Sequence, residues 1–196
     1  MKKILLLVAV MLFAASSAFA QFSLGGRAAA NFGTIYGDDA DDAPWGLGFA
    51  AGVSAKIGIN PMIGIVPDLD INLRRVADDD ATWTVWALEV PVMVRFNATS
   101  QLFLEAGPML SFLLSGKSDS DDDAGMEAAD YGDYLNTVEF GLSFGAGFSI
   151  MPKLDINARF NLGLTSELEE IDMGLVKVEI DQKNMQFQVG ATYWFM

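Results

Sequence analysis

The stretch Thr137-Val138-Glu139-Phe140-Gly141-Leu142-Ser143-Phe144-Gly145-Ala146-Gly147-Phe148-Ser149-Ile150 has two unlike faces. One carries Val138, Phe140, Leu142, Phe144, Ala146, Phe148 and Ile150; the other carries Glu139, Gly141, Ser143, Gly145, Gly147 and Ser149. Strict alternation of apolar side chains describes a β-strand. In a soluble sheet the apolar face would cover a core, and the other face, in water, would carry Lys, Glu and Thr. Here that second face is mostly Gly and Ser, which suits a narrow and crowded interior. Apolar outward to lipid and polar inward is the pattern of a membrane β-barrel.

The same alternation recurs seven more times: Phe22 to Phe32, Leu47 to Ile57, Ile63 to Arg74, Trp86 to Phe96, Leu102 to Leu114, Leu154 to Leu164 and Asn184 to Phe195. Pro67 lies inside the third of these and cannot donate to a ladder, so a bulge or local break is expected there. The connections alternate in kind. Gly33 to Pro44, Asp78 to Asp80, Gly116 to Asn136 and the segment from Ser166 onward are acidic, and most are long. Asn60-Pro61, Asn97 to Ser100 and Met151 to Lys153 are short turns. Within the last acidic segment Leu175 to Ile180 alternates again, out of phase with the final strand, which predicts a hairpin extension followed by a bulge or loop. The expected fold is all-β, an eight-stranded antiparallel up-and-down transmembrane β-barrel. Short turns and both termini are expected on the periplasmic side, with four acidic loops outside.

Met1-Lys2-Lys3, an apolar run from Ile4 to Ala15, and Ser16-Ser17-Ala18-Phe19-Ala20 form a secretory signal with expected cleavage after Ala20. The apolar run falls short of the about 20 residues that span a bilayer as a helix. Residues 1–20 are thus read as a cleaved signal peptide and residues 21–196 as the barrel domain. Loss of Lys2 and Lys3 leaves 10 bases against 26 acids, a net charge of −16. That sign excludes nucleic-acid binding by phosphate neutralisation. With no Cys, no disulfide can hold the fold.

Sorting charges by face separates two populations. The inward strand positions hold Arg27, Lys56, Arg74, Arg95 and Arg159 against Asp68, Asp70, Glu89, Glu105, Glu139 and Asp155. The excess negative charge therefore lies in the loops. An unpaired charge in a dry lumen is costly, so near-balance points to a paired network plugging the barrel. An eight-stranded barrel is only just wide enough inside for side chains, and Met93, Phe103, Met109 and Trp194 would fill part of that space. The rival reading of the same charges is a polar pore lining. Arg75 is the exception: it falls on the lipid face at the upper end of the third strand. There an Arg costs about 0 to 1 kcal/mol, against roughly 2 to 4 at mid-depth, and it is expected to snorkel to outer-leaflet phosphates.

With no His and no Cys, the usual nucleophile and base constellations and the usual zinc sites cannot be assembled. A non-enzymatic protein without cofactor is expected. Asp119-Ser120-Asp121-Asp122-Asp123-Ala124-Gly125 has the alternate-Asp spacing of calcium loops. Ala124 replaces the sixth-position Gly, however, and Asp130 the twelfth-position Glu, so no metal site is assigned. Looser divalent-cation bridging of the acidic loops to lipopolysaccharide is the expected alternative.

Leu88-Glu89-Val90-Pro91, Glu105-Ala106-Gly107-Pro108 and Gly145-Ala146-Gly147, in matching frames, resemble the PorT-like outer membrane protein β-barrel domain family. The resemblance covers essentially all of residues 21–196. It implies a small, monomeric barrel of the OmpA/OmpX type, inserted by the barrel assembly machinery among outer-membrane lipid and lipopolysaccharide. Such barrels serve envelope structure or surface interaction, and the partner of the loops is left open. They usually place an aromatic residue last, whereas this chain ends Tyr193-Trp194-Phe195-Met196. Two rivals stand beside that reading, a small porin-like pore and a soluble lipocalin-like binder; the latter needs apolar residues inside. The imperfect calcium loop predicts that calorimetry finds no calcium binding in the micromolar range; saturable binding there would establish a specific site.

Overall fold

A computed structural model describes residues 22–37, 43–77, 81–120, 129–130, 137–166, 171–172, 177–178 and 182–195. Eight long strands form the barrel: β1 (Phe22–Tyr36), β2 (Gly46–Gly58), β3 (Ile63–Ala77), β4 (Ala81–Asn97), β5 (Leu102–Ser120), β6 (Val138–Met151), β7 (Leu154–Gly163) and β8 (Lys183–Trp194). Each pairs antiparallel with its neighbours in sequence, and β1 pairs with β8, so the sheet closes and no barrel edge is left open. Ala129–Asp130 adds a short rung to β5, and Ile171–Asp172 pairs with Lys177–Val178. The rest of the expected hairpin extension, and the link from it to the last strand, lie outside the described residues. So do Asp121 to Gly125 of the calcium-like loop.

The register gives the barrel its dimensions. A path of paired residues from Phe22 runs through Ile57, Ile65, Val94, Ala106, Phe144, Phe160 and Phe187, and returns to β1 at Phe32, a stagger of ten residues. Eight strands with that stagger tilt by about 40° and enclose a cylinder of about 8 Å backbone radius. Every residue on the path is apolar and faces outward, so one circuit of the ladder is also one circuit of the lipid-facing belt. Aromatic pairs sit towards its borders: Phe32 stacks on Trp45 at 4.8 Å and Phe49 meets Trp86 edge-on at the loop end, while Tyr193 lies against Phe195 at the turn end. Two of the three short turns are closed by side chains, as their composition leads one to expect. Asn60 Oδ1 accepts from the amides of Met62 and Ile63, and Thr99 Oγ1 from those of Gln101 and Leu102.

Three features qualify the sequence reading. At Pro67 the ladder to β2 breaks locally, skipping Val66 and Pro67, but no bulge forms, since Ser54 pairs with Asp68 and Ile57 with Ile65 in one register. Loss of one donor removes a ladder bond without requiring an extra residue. The bulges lie elsewhere. One, at Trp86/Ala87 against β5, makes Leu114 the extra residue; the other, at Ser149/Met151, borders a turn. Finally, β1 and β5 run on to Tyr36 and Ser120, into segments read as loops, and β3 and β4 extend beyond the apolar belt to Ala77 and Ala81, on either side of the expected Asp78 to Asp80 loop. Above the lipid no face needs to be apolar, so hydrophobic periodicity ends before the ladder does.

Phe144 stands near mid-height of the belt and faces outward. Phe144→Arg should lower stability by about 2–4 kcal/mol in urea titration from lipid vesicles, whereas Phe144→Leu should cost far less. Equal small losses would contradict the assigned facing.

Candidate functional site

The lumen is the site, and the inward face builds it. Ten of the eleven inward ionisable residues are buried: Arg27, Asp68, Asp70, Arg74, Glu89, Arg95, Glu105, Glu139, Asp155 and Arg159. They meet in three groups. Near the loop end, Arg74 reaches Glu89 and Glu139, each at 2.8 Å, and donates to Ser111 Oγ at 2.9 Å. Gln186 Nε2 donates to Glu89 at 2.8 Å, Asn72 donates to Gln186, and Asn31 donates to Asn72, which carries the network across to β1. At mid-height Arg27 binds Asp70 and donates to Gln188 Oε1 at 2.8 Å.

The third group is a chain of alternating charge. Asp155 pairs with Arg95 at 2.7 Å; Arg95 pairs with Glu105 Oε1 at 2.7 Å; Glu105 Oε2 pairs with Arg159 at 2.9 Å; and Arg159 pairs with Asp68. Glu105 thus bridges two guanidiniums with its two oxygens, a geometry that suits the planar fork of Arg. Four Arg side chains hold all six carboxylates. Lys56 is the eleventh residue and forms no ion pair among the described residues. It is half-buried at the turn-end mouth, with Nζ 4.4 Å above the Trp194 ring. Arg95 lies 3.8 Å above the Phe103 ring, and Trp194 Nε1 donates to Asp155 at 2.9 Å.

Apolar residues close the remaining space. Met93, Phe103 and Met109 are fully buried in the interior. Val66, Met93 and Trp194 form one cluster, and Val85, Ala87 and Leu113 another. The glycines of β6 give these groups room. A Cβ on Gly145 would lie 2.9 Å from Arg159 Cγ, one on Gly141 would lie 2.9 Å from the Met109 methyl, and one on Gly147 would collide with the Phe103 ring. Nine buried polar atoms, including Asp68 Oδ1, Asp70 Oδ1, Glu139 Oε1, Ser54 Oγ and both amide atoms of Asn157, have no protein partner among the described residues. Internal water serves such atoms in a polar interior.

Sequence reasoning placed the eleven charged residues on the inward face but left their neutral partners out of the network. Asn31, Asn72, Ser111, Gln186 and Gln188 share the inward parity, and that shared parity is the signal that could have found them. No cluster of three or more metal-ligating residues occurs among the described residues. Removing one partner from the Arg27–Asp70 pair leaves a buried charge uncompensated. Arg27→Met alone should cost about 3–5 kcal/mol in a urea titration from vesicles, and Arg27→Met with Asp70→Leu should cost less than that single change. Additive losses would contradict direct coupling.

Comparison with known proteins agrees with this geometry. Neisserial surface protein A superposes with a TM-score of 0.57 at 15% identity, covering 88% of this chain and 98% of its own. Ail, the attachment invasion locus protein of Yersinia pestis, superposes with a TM-score of 0.51 at 16% identity, covering 89% and 99%. Ail in complex with the heparin analogue sucrose octasulfate gives 0.50 at 16%, with the same coverage. At these identities the likeness is one of fold. No curated protein sequence matches the chain. The profile of the outer membrane protein β-barrel domain matches residues 14–169. The chain therefore belongs to the outer membrane protein β-barrel domain family.

Proposed function

We propose that this protein is a non-enzymatic outer-membrane barrel with a plugged lumen, and that it acts through its loop end in surface interaction or envelope structure. The filled lumen carries this reading. Six carboxylates are each held by a guanidinium, and Phe103, Met93 and Met109 are fully buried in the same interior. A conducting pathway would have to break several of these pairs at once, and each broken pair leaves a buried charge. Delivery through a signal cleaved after Ala20, and a monomeric state, belong to the same proposal.

The finer PorT-like resemblance rests on three short motifs, and each has a packing role in the lumen. Glu89 and Glu105 hold Arg side chains, Pro91 is buried, and Gly145 and Gly147 make room for Arg159 and Phe103. These motifs therefore support lumen filling and mark no role in secretion. Ail has been solved with a polyanionic heparin analogue. A polyanion suits the loops of this chain poorly, because it carries 26 acids against 12 bases and its described carboxylates are all taken up in the lumen. Loop partners are better sought among cations, basic surfaces and cation-bridged lipopolysaccharide.

The alternative is a small pore, and planar-bilayer recording separates the two. A barrel verified by the mobility difference between unboiled and boiled samples should show no stable conductance steps. Reproducible steps would overturn the plug and make the inward charges a pore lining.

A further inference from the structure

Beyond the lumen, the register brings together an outer-surface group that spacing alone does not reveal. Arg75 on β3 pairs with Thr84 on β4, and Thr84 pairs with Lys117 on β5. The three therefore stand in one row on the barrel's outside. Two strand spacings separate the two bases, about 10 Å between Cα atoms, which long Arg and Lys side chains can close onto one anion. The bulge at Trp86/Ala87 creates the row. On β5 the outward residues are the even-numbered Leu102, Leu104, Leu110 and Leu114, so in an unbroken register Lys117 would enter the lumen. With Leu114 as the extra residue, the faces exchange: Gly116 is buried and Lys117 exposed.

The row stands just above the apolar belt, with Leu73, Trp86 and Leu114 beneath it. This is the height of the outer-leaflet headgroups. Arg75 and Lys117 are both exposed, and all six described acid side chains lie in the lumen, so neither base has a carboxylate partner among the described residues. Asp130 lies across the ladder from Lys117. In so acidic a chain, two exposed bases and a hydroxyl aligned at headgroup height call for an anion supplied by the membrane.

We infer that Arg75, Thr84 and Lys117 form a binding site for a phosphate of an outer-leaflet glycolipid. The site lies outside the barrel and is independent of whether the lumen conducts. It is tested on protein purified from the outer membrane in detergent, titrated with bisphosphorylated lipid A and followed by native mass spectrometry. Each base near an anionic surface contributes about a factor of five, so Arg75→Gln with Lys117→Gln should weaken binding by about twenty-fivefold. Arg75→Lys with Lys117→Arg should keep it, Asp130→Asn should keep or tighten it, and Lys153→Gln, which makes the same kind of charge change at the opposite end, should leave it unaltered. Any of four results would overturn the inference: equal binding of fully dephosphorylated lipid A, no loss in the double variant, full competition by inorganic phosphate at the lipid's own concentration, or a dimer that the double variant dissolves.

Discussion

Ten charges buried inside a cylinder of about 8 Å radius are the constraint on which this structure turns. Each is tolerable only with a partner at hydrogen-bonding distance. Two pairs, Arg74–Glu89 and Arg95–Glu105, join adjacent strands, but the others do not: Arg159 on β7 reaches Asp68 on β3, and Arg74 on β3 reaches Glu139 on β6. The latter contacts therefore cross the lumen and tie together opposite walls that share no ladder. They also define the register. A slip of one residue in any strand exchanges its faces. In β3 that would carry Asp68, Asp70 and Arg74 into lipid, where a base costs about 2 to 4 kcal/mol at mid-depth and acids somewhat less. Buried ion pairs add little net stability over apolar packing, so their value here lies in excluding wrong registers.

Space is the other half of the account. Arg159, Phe103 and Met109 fit because the neighbouring strand is stripped to hydrogen: Gly145, Gly147 and Gly141 of β6 each lie beside one of them. The mixture of bulk on β5 and β7 with its absence on β6 is one design read from two sides. The outer surface is simpler, because lipid accepts any apolar shape. The belt accordingly mixes Phe, Ile, Val, Leu and Ala in no fixed pairing: Phe144 stands beside Phe160 on one side and Ala106 on the other.

Much of this was legible from residue alternation, because lipid enforces it without exception. A strand that must be apolar on one face for its whole membrane-crossing length declares its parity, and parity sorted all eleven charged residues and Phe103, Met93, Met109 and Trp194 to the inside. Legibility stopped where lipid stops. Tyr36, Ala77 and Ser120 close strands that continue into water, where no periodicity is required. Bulges were hidden for a related reason: a single inserted residue such as Leu114 is itself apolar and leaves the local composition unchanged, yet it decides which way Lys117 faces. Pro67 was legible as a local break, and the ladder to β2 skips it, but the lost donor shifts no register. The pairing of charges across the lumen depends on stagger, which only the closed ladder supplies.

The central claim is that the interior is filled and closed to solutes, and the absence of cysteine in the chain offers a direct test. Ser143 is fully buried at the centre of β6 and faces the lumen. In a folded Ser143→Cys barrel, a water-soluble maleimide should fail to label the thiol until the protein is boiled, while Ser100→Cys in an exposed turn should label at once. Rapid labelling at position 143 in the folded barrel would contradict the account and mean that the lumen is open.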